Sequence, residues 1–188
     1  MSAYTKELLA ASKGLPAVLK RTAVRTAIKA EREAKKNATG GVLKKGSGAL
    51  GRSITSSTKI DGGIWEVRVK ANSITASTHE YGATIRPKRA KMLAIPLDAA
   101  KTAGGISRYS TPSSVLGLFV LRLGEKVFLA KKEEGGGLAF YFILKHSVTI
   151  KARPFMKPAA DAAWGDIERV LSQEVQANYR AQAGKHGK

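Results

Sequence analysis

Two segments, 54–60 and 64–70, flank Asp61-Gly62-Gly63, and with the alternation inside the second no other feature constrains the fold as tightly. Trp65, Val67 and Val69 alternate with Glu66, Arg68 and Lys70. In an extended chain, successive side chains point to opposite faces, so this pattern collects the three apolar groups on one side. The glycines supply the backbone freedom that a tight connection needs. The pattern predicts an antiparallel hairpin with one buried face.

Residues 90–96, 115–123, 126–131 and 138–150 are rich in β-branched, aromatic and aliphatic types, with turns at Gly124-Glu125 and 133–137. They predict an antiparallel sheet in the middle of the chain. Residues 73–82 are ambiguous between a turn and a short helix, and 99–114 read as a loop marked by Gly104-Gly105 and Thr111-Pro112-Ser113. Two helices flank the sheet. The first runs over 15–36, with Pro16 in its opening turn and an Ala-dominated stripe at Leu15, Val18, Leu19, Ala23, Ala27, Ala30 and Ala34. So narrow a stripe buries little area and calls for a neighbouring surface, such as another subunit. The second starts at Pro158 and runs to about residue 181, with Ala162, Ala163 or Trp164, Ile167, Val170, Leu171, Val175 and Tyr179 on a face expected to pack on the sheet. The expected fold is therefore α+β: an antiparallel sheet between a basic N-terminal helix and an amphipathic C-terminal helix, with long loops. The expected division is 1–47 for the helix and a Gly/Lys/Ser-rich loop, 48–182 for the core domain, and 183–188 for a flexible tail.

Charge narrows the choice of partner. The chain has 188 residues, 33 Lys and Arg against 14 Asp and Glu, and a formal charge of +19. Residues 1–52 hold 12 bases and 3 acids, 53–153 hold 16 and 7, and 154–188 hold 5 and 4. Such an excess attracts polyanions, whether nucleic acid, an anionic membrane or an acidic protein. The candidate contacts are Lys20, Arg21, Arg25 and Lys29 on the first helix, and Arg86, Lys88, Arg89 and Lys91 in the densest local cluster. Base-reading motifs and aromatic stacking platforms are missing beside that cluster, which favours an acidic protein neighbour over DNA. No apolar run reaches the roughly 20 residues that span a bilayer, and the amino terminus lacks the apolar core of a secretion signal, so a soluble, unprocessed protein without membrane contact is expected.

Catalytic patterns are weak. The chain has no Cys, which removes disulfides, thiolate metal sites and a cysteine nucleophile. His79, His146 and His186 do not form a metal-ligand spacing, and none of the glycine-rich stretches follows a phosphate-loop pattern. No metal, cofactor or catalytic residue is expected. His79-Glu80 could act as an acid–base pair, but no nucleophile lies near it in sequence, and a polar pair in a turn or interface is the simpler reading.

Three segments in fixed order carry a resemblance: Gly48-Ala49-Leu50-Gly51-Arg52-Ser53-Ile54, then His79-Glu80-Tyr81-Gly82, then Ala152-Arg153-Pro154-Phe155-Met156-Lys157-Pro158-Ala159. Together they resemble the tail-completion, or head-tail joining, proteins of long-tailed double-stranded-DNA bacteriophages, which are related in fold to tail-terminator proteins. Each segment also has a physical logic. Leu50 and Ile54 seat a loop on the core, Gly82 permits a backbone conformation closed to other residues, Pro154 ends a strand, Phe155 anchors an aromatic ring, and Pro158 opens a helix. Glu80, Tyr81 and Arg153 complete the motifs.

The resemblance implies a structural, non-enzymatic virion subunit, assembled in the host cytoplasm and placed at the neck. It implies a homo-oligomeric ring, commonly of six, that meets the connector, adaptor or stopper proteins and the tail-tube protein, with DNA passing through its channel. Two other readings compete: a free nucleic-acid-binding protein that grips phosphate with the first helix and residues 86–91, and a hydrolase using His79 and Glu80.

Overall fold

The computed structural model describes residues 3–44, 46–61 and 64–183. The chain is α+β, with its strands in antiparallel sheets. It divides into two units: the described residues of 1–43, 50–73 and 154–188 make the first, and those of 44–49 and 74–153 the second. This differs from the expected division, because the N-terminal helix is the centre of the first unit and not an appendage to a core over 48–182. Gly62, Gly63 and the tail residues 184–188 lie outside the described residues.

In the first unit, helix α1 (Ala3–Lys36) contains Pro16 in its interior. The expectation of a start at Leu15 is thus corrected. The preceding stretch, rich in Ala, Lys, Glu and Leu, has enough helix propensity to continue through one missing amide donor. Leu15, counted in the apolar stripe, is exposed. Val18, Thr22, Ala23, Thr26, Ala27, Ala30 and Ala34 are buried. This broad face of small residues is covered within the same chain, since α1 packs against both strands of the hairpin and against the two C-terminal helices. No second subunit is needed to cover it.

After α1 the chain kinks through a π-type turn (Asn37–Gly41), where Gly40 takes φ +142° and the Asn37 carbonyl accepts from the amides of Val42 and Leu43. One helical turn, α2 (Ala49–Arg52), then leads into β1 (Ile54–Asp61), which pairs along its length with β2 (Ile64–Ala71). Glu31 of α1 accepts from the Ser56 amide at 2.8 Å and from the Ser56 hydroxyl at 2.5 Å, fastening β1 to the helix.

The single C-terminal helix expected from Pro158 is two helices, α4 (Lys157–Trp164) and α5 (Ile167–Ala183), separated at Gly165-Asp166. Both pack on α1, not on a sheet as expected. Their buried stripe is Ala159, Ala163, Val170 and Glu174, while Ala162, Trp164, Val175 and Tyr179 face solvent. Small residues on both sides allow close helix approach, which selects this stripe over the one with larger side chains.

The second unit holds α3 (Ala76–Tyr81), resolving the ambiguous segment as a helix, and two sheets. β3 (Ala83–Ile85) pairs with β8 (Val148–Ile150). A four-stranded antiparallel sheet has the order β4–β7–β6–β5, from β4 (Leu93–Pro96), β5 (Phe119–Leu123), β6 (Lys126–Lys132) and β7 (Leu138–Lys145). The run 138–150, read as one strand, is therefore shared between two sheets. The loop predicted over 99–114 covers the larger sheet: Ala100 and Val115 are buried with Phe142, and Ala94, Tyr109, Leu118, Leu129 and Tyr141 pack around them.

Candidate functional site

The residues carrying the resemblance sit at joints. Ser53 closes α2 by donating its amide and hydroxyl to the Leu50 carbonyl, and Ile54, the next residue, is fully buried at the start of β1. Leu50 itself is half-buried. Gly82 follows α3 with φ +74° and ψ +161°, a region open essentially to glycine alone. A Cβ there would lie 2.9 Å from both the Ala152 amide nitrogen and the Ile150 carbonyl oxygen. Beside it, the Arg153 amide donates to the His79 carbonyl at 2.7 Å. The second and third motifs, far apart in sequence, thus meet backbone to backbone. Glu80 is buried and Tyr81 is 80% exposed.

In the third motif, Arg153 and Pro154 are exposed and Phe155 is 0% exposed. The Asn37 side-chain amide donates to the Phe155 carbonyl at 3.1 Å, so the kink after α1 holds the entry to α4. Pro158 occupies the first turn of α4, where its missing amide donor leaves no bond unmade.

The cationic candidates separate into two sets. On α1, Arg21 and Arg25 both reach Glu174, at 2.5 Å and 2.8 Å; the carboxylate side chain is 7% exposed, against 47% and 58% for the arginines. Lys29 pairs with Asp166, which Arg169 also grips through its Nε and Nη2. The Arg169 and Lys29 hydrogen bonds hold the Asp166 carboxyl well below its ordinary range. Three of the four α1 candidates are therefore answered by intrachain carboxylates; Lys20 is exposed and has no such partner among the described residues. Sequence reading missed Glu174 because a helical stripe is sought among apolar residues.

The second set, Arg86, Lys88, Arg89 and Lys91, is exposed, and none of the four pairs with a carboxylate among the described residues. Strand register explains their projection. Ile85 pairs with Val148 and Leu93 with Lys145, so residues 86–92 on one side face only His146 and Ser147 on the other. Seven residues cannot lie flat opposite two, and the surplus leaves the sheet. Beneath the loop lies a shallow, wide-open cleft of about 680 Å³. Ala94, Leu129 and Leu144, on the sheet face that also carries Phe142, give it an aliphatic floor; Met92, Leu93 and Pro112 also line it half-buried, and exposed Lys88 and Arg89 are its rim. Neither an acidic nor an aromatic residue lines it.

His79 is half-buried with its Nδ1 unpartnered, and His146 lies exposed in the turn between β7 and β8, outside the strand where it was expected; His186 lies outside the described residues. Among the described residues no three His, Cys, Asp or Glu side chains gather as a metal site, and no helix is long and apolar enough to cross a membrane. Comparison of the chain with protein-family models, with curated proteins and with solved structures finds no match.

Proposed function

We propose that this chain is a structural subunit of a long-tailed bacteriophage, a neck or tail-completion ring protein that joins the head connector to the tail tube. One observation supports the reading above others: the backbone of His79 and Gly82 meets that of Ile150, Ala152 and Arg153, where the second motif ends and the third begins, which gives these two motifs a common structural purpose. Motifs of this kind set the geometry of a protomer and take part in no reaction, so the proposed role is contact without catalysis or cofactor. A head-to-tail ring closes only if opposite faces of the protomer are complementary, and a hexamer is the expected closed form. The proposed location is the virion neck, with DNA passing through the ring.

Negative-stain imaging of the purified protein, alone and mixed with tail tubes, tests this. Rings, or density capping tube ends, are expected; a persistent monomer that attaches to neither tubes nor connectors refutes the proposal. A second reading, a free nucleic-acid-binding protein, draws on the cations of residues 86–91, which pair with no carboxylate among the described residues. It requires duplex-DNA affinity that falls steeply with salt. Against it, Arg21, Arg25 and Lys29 are already engaged with Glu174 and Asp166 and offer less to phosphate.

A further inference from the structure

The cleft under residues 86–92 combines two features that a phosphate-tracking surface does not need together. Its rim is cationic and its floor is aliphatic. Arg86 and Lys91 stand on the same exposed loop as the rim residues, and Lys145, also exposed, pairs with Leu93 at the edge of the cleft. Among the described residues the cationic side chains of this loop have no carboxylate of their own, unlike Arg21, Arg25 and Lys29 of α1. The floor is the uncovered end of the sheet face whose other part is sealed by Ala100 and Val115 around Phe142. A DNA strand would satisfy the rim, but it would set sugar and phosphate against Leu129, Leu144 and Met92, with no aromatic ring on which a base could stack. An acidic polypeptide with aliphatic side chains satisfies both parts: its carboxylates meet the rim, and its apolar groups leave water on the floor.

We infer that this cleft is a docking site for an acidic peptide segment of a partner protein, anchored by aliphatic side chains between Met92 and Leu144 and held by Lys88 and Arg89. The site goes beyond the neck assignment and does not depend on it, because charge and shape define the ligand chemistry whichever assembly supplies it.

The test uses the full chain and fluorescence anisotropy with three labelled probes: a peptide of Glu residues flanking a pair of Leu, the same peptide with Ser in place of Leu, and a short DNA duplex. The Glu/Leu peptide is expected to bind at least about tenfold more tightly than the Glu/Ser peptide. Reversing the rim, Lys88→Glu with Arg89→Glu, is expected to weaken it by about tenfold or more. The same charge change on the exposed hairpin, Lys126→Glu with Lys132→Glu, is expected to alter it less than about threefold. Met92→Lys separates the two contributions: it adds a positive charge while removing an apolar wall, and weaker Glu/Leu binding is expected. Circular dichroism and a thermal melt establish that each variant is folded, and Ala90→Glu, at an exposed cleft residue, replaces any variant that is not. Equal affinity for the two peptides, equal loss on rim and hairpin reversal, stronger binding by Met92→Lys, or preference for the duplex would each overturn the inference. Ring formation is scored separately by imaging, so failure here and failure of the neck reading are distinguishable.

Discussion

Replacing Phe155 with Ala removes an enclosed ring, and the loss can be worked out from its surroundings. An aromatic side chain of this kind buries about 150–200 Å², of which Ala retains a minor part. Roughly 120 Å² of lost apolar burial at about 25 cal/mol per Å² gives about 3 kcal/mol. A residual cavity of about 50 Å³ adds about 1 kcal/mol at roughly 24 cal/mol per Å³. The Asn37 hydrogen bond is made to the Phe155 backbone carbonyl and so survives the substitution. The expected destabilisation is about 4 kcal/mol, a large share of the roughly 5–15 kcal/mol that holds a domain together. Both tryptophans of the chain, Trp65 in β2 and Trp164 in α4, belong to the same unit as Phe155, so urea unfolding followed by tryptophan fluorescence reports on that unit. With a slope of about 2 kcal/mol per molar urea, the midpoint should fall by about 2 M. A fall of less than about 0.5 M would mean that Phe155 is not a packed anchor, and the structural sense given to the Arg-Pro-Phe motif would fail with it.

Glu174 and its arginines should respond asymmetrically. Removing both cations, Arg21→Gln with Arg25→Gln, strands a buried carboxylate and should lose about 3–5 kcal/mol, whereas Glu174→Gln leaves two half-exposed guanidinium groups that water can reach and should lose about 1 kcal/mol. The same fluorescence titration decides, and the opposite ranking contradicts the burial argument. Asp166 has its folded-state pKa depressed by Arg169 and Lys29, so its stabilising contribution is complete above the ordinary Asp value near about 3.9 and is lost as pH falls below it. Asp166→Asn should accordingly be less stable at neutral pH and show a flatter acid limb below about pH 4; parallel curves for the two proteins would exclude the linkage. Gly82→Ala places a methyl group 2.9 Å from two backbone atoms in a strained conformation, at about 2–4 kcal/mol. Hydrogen exchange should show lost protection along the β3–β8 ladder, and unchanged protection there would argue against the tight fit.

What was legible in the sequence was local. The period-2 alternation of Trp65, Val67 and Val69 is set by backbone geometry, and β1 and β2 pair without interruption from Ile54 with Ala71 to Asp61 with Ile64, the three apolar side chains half-buried. The special backbone at Gly82 was legible from an acidic-aromatic-Gly turn. Features that depend on distant pairing were not. A basic helix face looks solvated until Glu174 and Asp166 arrive from the other end of the chain. The projection of residues 86–92 follows from the two registers on either side, which no property of Arg86-Pro87-Lys88-Arg89 encodes. The break between α4 and α5 was available in Gly165-Asp166, yet the continuing apolar spacing from Ala163 through Ile167 to Val170 masked it. Among the site residues, the motif positions lie at joints, whereas Lys29, Arg21 and Arg25 serve internal ion pairing that a one-dimensional charge count cannot distinguish from a surface awaiting a ligand.

The interrupted chain path of the first unit has a consequence for biosynthesis. Residues 74–153 emerge from the ribosome as an unbroken stretch and can pair their strands while translation continues, apart from the short contribution of 44–49. Helix α1 emerges earlier still and the β1–β2 hairpin that packs on it soon follows, whereas its other partners, α4 and α5, are made only after residues 74–153. Until then the part of α1 that α4 and α5 cover is open to the cell, and a nascent chain stalled before Phe155 exposes it to chaperones and to other nascent copies.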